Sequence, residues 1–146
     1  NRLKLPLKIS GSGQDEKYCK SIAKGNIDFL GVLSNKQLLN LYQRARALVF
    51  PGEDDFGITP LEAQACNTPV IAFGKGGALE TVSNSTGIFF KEQNVGSLSE
   101  AVEKMENNYN NFSPQSFENQ ISRFGRGLFK DQIANAIQQG YLKWKA

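Results

Sequence analysis

Histidine is absent from this chain of 146 residues. Its absence removes the Ser-His-Asp triad, a histidine general base and histidine-ligated zinc as sources of chemistry. What remains is carboxylates, backbone amides and the substrate's own groups. Cysteine is scarce: Cys19 and Cys66 stand far apart, form no Cys-x-x-Cys pair and read as free thiols of a reducing compartment. No apolar run approaches the roughly 18 residues that a membrane span requires. The opening NRLKLPLKIS has no continuous apolar core and no small-residue cleavage site, so it does not read as a signal peptide. Charge is balanced too. Seventeen Lys and Arg against 14 Asp and Glu leave a scattered +3, which argues against nucleic acid as a partner.

What is present alternates. PLKISGSG reads as a short strand entering a glycine-rich turn, followed by a polar helix from about Gln14 to Lys24. IDFLGVL is a second strand, with a helix over Lys36 to Ala45 behind it. ALVFPG is a continuous apolar run ended by a Pro-Gly turn, the pattern of a strand covered on both faces. A helix from Pro60 to Cys66, the strand PVIAF, the turn GKGG, a short helix near Leu79 to Ser83, the strand TGIFF and a helix from Val95 to Met105 follow. Strands alternating with helices predict an α/β fold whose parallel sheet carries helices on both faces. The Asn-rich ENNYNNFSPQ reads as a loop. Helices then run from about residue 113, the last with Leu128, Ile133, Ile137 and Tyr141 near helical spacing. The length suits one domain, residues 1–146.

The stretch PGEDDFGITPLE concentrates the acids. Two local accounts of Glu62 stand side by side. In one, Thr59 is a helix N-cap, Pro60 the first helical residue and Glu62 the third, so the glutamate closes a capping box onto the Thr59 amide. Asn67 then suits the left-handed residue that ends the helix, and Pro69 prevents its continuation. In the other, a strand delivers Glu53, Asp54 and Asp55 to the carboxyl edge of a parallel sheet, where open α/β sheets bind ligands. Carboxylates there can each accept hydrogen bonds from a polyhydroxyl ligand. The amides of Phe56, Gly57 and Ile58, near a helix start, add donors for sugar or phosphate oxygens.

FPGEDDFGITPLEAQACNTPVIAFGKGGALETV resembles the donor-binding signature of retaining GT-B glycosyltransferases of group 1 (family 4), a class that includes bacterial mannosyltransferases and sucrose and glycogen synthases. Asp54 holds the first acidic position, Glu62 lies eight residues on with Phe-Gly between them, and Gly76, Gly77 and Glu80 complete the pattern. With weaker matches at ISGSG and IDFLGVL, the resemblance covers roughly residues 6 to 130.

The resemblance implies a Rossmann-like doubly wound parallel sheet that binds a nucleoside-diphosphate sugar, UDP- or GDP-linked. Glu62 would accept from the ribose hydroxyls. Asp54, the residue placed in the catalytic position, would hold the donor hexose with Glu53 and the amides of Phe56, Gly57 and Ile58. The backbone at Val32 and Leu33 would read the base, and the Ser10–Gly13 loop, with Gly11 and Gly13, would line the pocket near the phosphates, an ordinary strand-to-helix turn being the competing account. Gly76 and Gly77 would admit the ligand close to the backbone, a plain turn being the competing account; Glu80 could equally complement a helix dipole. No metal or other cofactor is expected, since Asp-x-Asp is absent and Asp54-Asp55 lacks further ligand types at suitable spacing.

The family's Arg/Lys phosphate clamp and N-terminal acceptor domain have no counterpart here, so the chain reads as a donor-binding domain whose partner is its own N-terminal domain. Any membrane contact would run through that domain. The location expected is the cytoplasm, at most peripheral at the inner face of a membrane. In the order 3-2-1-4-5-6, LKIS would be the second strand. Either LKIS and ALVF pair directly, or a strand from outside the chain lies between them. The activity implied is retaining hexosyl transfer to a hydroxyl acceptor. A sugar-nucleotide epimerase and a noncatalytic nucleotide-sugar-binding module are the alternatives.

Overall fold

Val70–Phe73 (β4) has a buried residue at every position, and the rest of the larger sheet is organised around it. The computed structural model describes residues 1–145. β4 lies between Leu48–Phe50 (β3) and Gly87–Phe90 (β5), parallel to both, in the order β3-β4-β5. Strand side chains alternate between faces. Val70 and Ala72 pack on one side with Tyr42, Ala63, Ala78 and Val82, while Ile71 and Phe73 pack on the other with Phe90, Ala101 and Met105. Helices Asn35–Arg44 (α2), Ile58–Ala65 (α3) and Ala78–Thr81 (α4) supply the first face, and Val95–Asn108 (α5) the second. A sheet covered on both sides explains the uninterrupted apolar run PVIAF.

The N-terminal part is a separate two-stranded parallel sheet, Leu7–Ser10 (β1) beside Ile27–Gly31 (β2), connected by Glu16–Ile22 (α1). None of these three elements contains a buried residue. Among the described residues no hydrogen bond or ion pair joins residues 1–33 to residues 48–145. LKIS and ALVF therefore do not pair with each other; each borders its own sheet. ALVF still has packing on both faces, as expected: Leu48 and Phe50 lie against the cluster on the first face, Ala47 and Val49 against that on the second. Leu48, Val49 and Phe50 are all only half-buried, because β3 has a strand on one side alone.

Local chemistry sets the helix starts. Ser34 caps α2 in a capping box with Gln37, and Asn94 caps α5 by accepting from the Ser97 amide at 2.8 Å. Ser113 caps Pro114–Ser122 (α6), whose first residue is the proline. ENNYNNFSPQ is not the loop expected of it. α5 runs on to Asn108, a 3₁₀ turn covers Tyr109–Asn111 and α6 begins at Pro114. Met105, almost fully buried, anchors that last stretch of α5 to the core, while Asn107 and Asn108 face water. The last helix, Arg126–Lys145 (α7), forms as its periodicity predicts, yet Leu128, Ile133, Ile137 and Tyr141 are exposed rather than packed.

Candidate functional site

Because neighbouring strands are parallel, the loops that follow β3, β4 and β5 emerge at one edge of the larger sheet. The loop after β3 carries Glu53, Asp54, Asp55 and Phe56, all exposed, and ends at Gly57, which is buried. Gly57 has φ +84°, a left-handed conformation that glycine adopts without strain, and it serves as the N-cap of α3. The chain thus enters the helix two residues earlier than the Thr59 capping box requires. That box does not form: no side chain caps α3, and Glu62 does not fold back. The opening amides of the helix, Ile58 and Thr59, are consequently free of a side-chain cap at its positive end. At the other end Asn67 adopts φ +59°, the left-handed residue anticipated there.

Glu62 instead faces α2. Its Oε2 accepts a hydrogen bond from the Tyr42 hydroxyl at 3.2 Å. Tyr42 is 7% exposed and belongs to the core. Burial, and then the Glu62 carboxylate, push the Tyr42 hydroxyl up to about 12, so it remains a donor at any physiological pH. Burial, followed by the Glu62 charge, also pushes the Cys66 thiol up, which disfavours the reactive thiolate.

The acidic loop rests on the loop after β4. The Gly77 amide donates to the Asp54 carbonyl at 2.7 Å, and Asp54 Oδ1 accepts from the Asp55 amide at 2.7 Å. A Cβ on Gly77 would lie 2.4 Å from the Phe56 Cα, and one on Gly76 would lie 2.6 Å from the Asp54 carbonyl oxygen. The room that these glycines leave is filled by the acidic loop's own backbone. That close packing of chain on chain is what the competing account, a plain turn, requires of the two glycines.

Beneath the loop, Gln64, fully buried on α3, donates to the carbonyls of Pro60 and Thr81, both at 2.9 Å. Gln120 of α6 donates to the carbonyls of Glu80 and Thr81, and the Thr81 hydroxyl donates to the Gly77 carbonyl at 3.0 Å. These bonds tie α3, α4 and α6 into one support. The Phe56 ring meets Phe124, between α6 and α7, edge-on at 5.9 Å.

The structure therefore brings together Glu53, Asp54, Phe56, Gly57, Ile58 and the Gly76–Gly77 turn, with Glu62 on α3. Gly11, Gly13, Val32 and Leu33 group separately, at the carboxyl end of the smaller sheet. There Gly11, at φ +106°, donates its amide to the Gly31 carbonyl at 2.7 Å, and Val32 is exposed. Gly13 has open space around it. Tyr42, Gln64, Thr81, Gln120 and Phe124 were not singled out from the sequence; their roles arise from contacts across 17 to 68 positions. Among the described residues no three His, Cys, Asp or Glu side chains converge on a point that could hold a metal ion.

Residues 1–125 match the family described as "Glycosyl transferases group 1". A GDP-mannose-dependent monoacylated alpha-(1-6)-phosphatidylinositol monomannoside mannosyltransferase of Corynebacterium glutamicum is 37% identical over 107 residues, covering 66% of this chain. The chain spans 28% of that protein and 27% of the alpha-1,3/1,6-mannosyltransferase of Homo sapiens, about a quarter of the length of these curated relatives. Among solved structures, sucrose-phosphate synthase from Thermosynechococcus elongatus is similar with a TM-score of 0.69 at 25% identity, over 94% of this chain and 38% of that one. Anabaena HepE, solved in complex with UDP, is similar with a TM-score of 0.75 at 18% identity, over 92% of this chain and 41% of that one. Two parallel sheets flanked by helices, the Glu53–Glu62 loop and helix seated on Gly76–Gly77, and a match across most of the length agree: this chain has the Rossmann-like fold of GT-B glycosyltransferases and belongs to the group 1 glycosyl transferases.

Proposed function

We propose that the chain is the donor-binding domain of a hexosyltransferase that takes its sugar from a nucleoside-diphosphate donor and transfers it to a hydroxyl acceptor with retention. The observation that carries this reading is Glu62: an exposed carboxylate, held by Tyr42, on a helix whose first amides have no side-chain cap. A carboxylate oxygen pair suits vicinal hydroxyls, and helix-start amides suit an anion. Glu62 accepts from the ribose hydroxyls. Glu53 and Asp54, with the amides of Phe56, Gly57 and Ile58, hold the hexose, with Asp54 facing the reacting carbon. Gly11 and Gly13 line the nucleotide pocket, and the backbone at Val32 and Leu33 meets the base.

The departing diphosphate gains negative charge as the glycosidic bond breaks. Amide dipoles fixed beforehand stabilise that charge without reorganising at the moment of reaction. Sugar binding needs no metal in this reading. The acids of the loop are spread along exposed backbone, and Asp54 already accepts from the Asp55 amide. The names of relatives support the donor class, since one is called GDP-mannose-dependent and another was solved with UDP. The acceptor is bound by a separate N-terminal domain of the same protein. Among the described residues no helix is long and apolar enough to cross a membrane, which is compatible with work in the cytoplasm or peripherally at its membrane.

Titration calorimetry with UDP-glucose and GDP-mannose tests the reading. Glu62→Gln keeps shape but removes the charge-assisted acceptor, and should weaken the donor that binds by about 1–3 kcal/mol. Unchanged affinity in that variant would reject Glu62 as the ribose contact.

A further inference from the structure

The Tyr42–Glu62 pair has a geometry that a surface carboxylate does not need for its own sake. Glu62 is exposed, and water alone would satisfy it. Its donor, in contrast, is fixed. The Tyr42 ring is buried with Ala63, Val70, Ala72, Ala78 and Val82, and its carbonyl accepts from the Thr68 hydroxyl at 2.6 Å and from the Ala45 amide at 3.1 Å. A rigid hydroxyl therefore reaches out of the core to one oxygen of a flexible side chain. A free glutamate must lose rotamer freedom when it binds a ligand, and one already restrained loses less. With Tyr42 on Oε2, the lone pairs of Oε1 and the second lone pair of Oε2 stay open to hydroxyl donors.

We propose that Tyr42 is a positioning residue for donor binding, its hydroxyl fixing the Glu62 carboxylate in the orientation that accepts both ribose hydroxyls. This rests on the reading of Glu62 as the ribose contact. The competing role is a staple between α2 and α3, which would matter for stability and not for recognition of the ribose. A specificity readout separates the two, because a staple has no means of telling ribose from deoxyribose.

The experiment is titration calorimetry of the protein with UDP, GDP and their 2′-deoxy counterparts, using wild type, Tyr42→Phe, Glu62→Gln and Ile71→Val. Ile71 packs on the opposite face of β4, so Ile71→Val is a control for lost stability alone. Wild type should prefer the ribonucleotide about tenfold or more over its deoxy form. Glu62→Gln should abolish most of that preference, Tyr42→Phe should reduce it about fivefold, and Ile71→Val should retain it. A wild-type preference lost in Glu62→Gln yet intact in Tyr42→Phe overturns the positioning role and leaves the ribose contact standing. No ribose preference in wild type overturns both. Should Tyr42→Phe fail to fold, the ¹³Cζ resonance of Tyr42 in the wild-type protein is read instead. Ribonucleotide should shift it more than the deoxy form, and equal shifts overturn the proposal.

Discussion

Replacing Gly77 with alanine probes how the acidic loop is seated. Gly77 has φ −61° and ψ −18°, which alanine adopts freely, so backbone strain contributes nothing. The whole effect is steric. The new Cβ would stand 2.4 Å from the Cα and carbonyl oxygen of Phe56 and 2.5 Å from its carbonyl carbon. Carbon atoms pack best at about 3.5–4.0 Å, so the loop must retreat by about 1 Å or more. That movement strains the bond from the Gly77 amide to the Asp54 carbonyl, now 2.7 Å, and the edge-on contact of Phe56 with Phe124. Overpacking of this kind costs about 1–3 kcal/mol, and the weakened hydrogen bond about 1 more. Urea unfolding should show the loss, and calorimetry should show donor affinity falling about tenfold as Asp54 and the Phe56–Ile58 amides shift. Gly25→Ala is the control: nothing lies within 4 Å of its Cβ, and stability should stay within about 0.5 kcal/mol. Wild-type stability in Gly77→Ala would refute the packing account. If affinity alone fell, the glycine would be there for the ligand after all.

Three further outcomes are expected. Tyr42 ionises at about 12 in the folded chain against about 10 when unfolded, so above pH 10 the unfolded chain releases the proton first. Its contribution is fully present below pH 10 and is lost as pH rises toward 12. Urea unfolding at pH 9 and pH 11 should reveal a loss of about 1 kcal/mol that Tyr42→Phe does not show. Donor affinity should be unchanged by EDTA; a loss restored by Mn²⁺ or Mg²⁺ would make the acids of residues 53–55 a ligand set. Asn94→Ala, which removes the acceptor for the Ser97 amide, should cost about 1 kcal/mol in thermal unfolding without altering nucleotide binding.

Particular residues show where the sequence was informative. Val70–Phe73 announced itself because a strand covered on both faces has no polar positions, and Pro69 and Gly74 bound it. Asn67 was equally legible, since few residues other than glycine tolerate its φ. Asn-rich composition misled at residues 106–115, because a single buried side chain, Met105, holds the end of α5 in place whatever its exposed face carries. Thr59-Pro60-Leu61-Glu62 fits a capping box by spacing, but the left-handed turn at Gly57 starts the helix earlier and leaves Glu62 two residues too far along. Spacing likewise locates Gly76 and Gly77 without saying whether chain or ligand fills the room beside them. The Tyr42–Glu62 pair was invisible, because two helices twenty positions apart must first pack.

The central claim is that Glu62 binds the ribose of a nucleotide sugar. Saturation-transfer NMR on the protein with UDP-glucose and GDP-mannose tests it most directly. Saturation should reach the ribose protons of at least one donor, and that signal should collapse in Glu62→Gln while the fold, judged by thermal unfolding, persists. No transfer to either nucleotide sugar, or equal transfer in wild type and Glu62→Gln, would contradict the account.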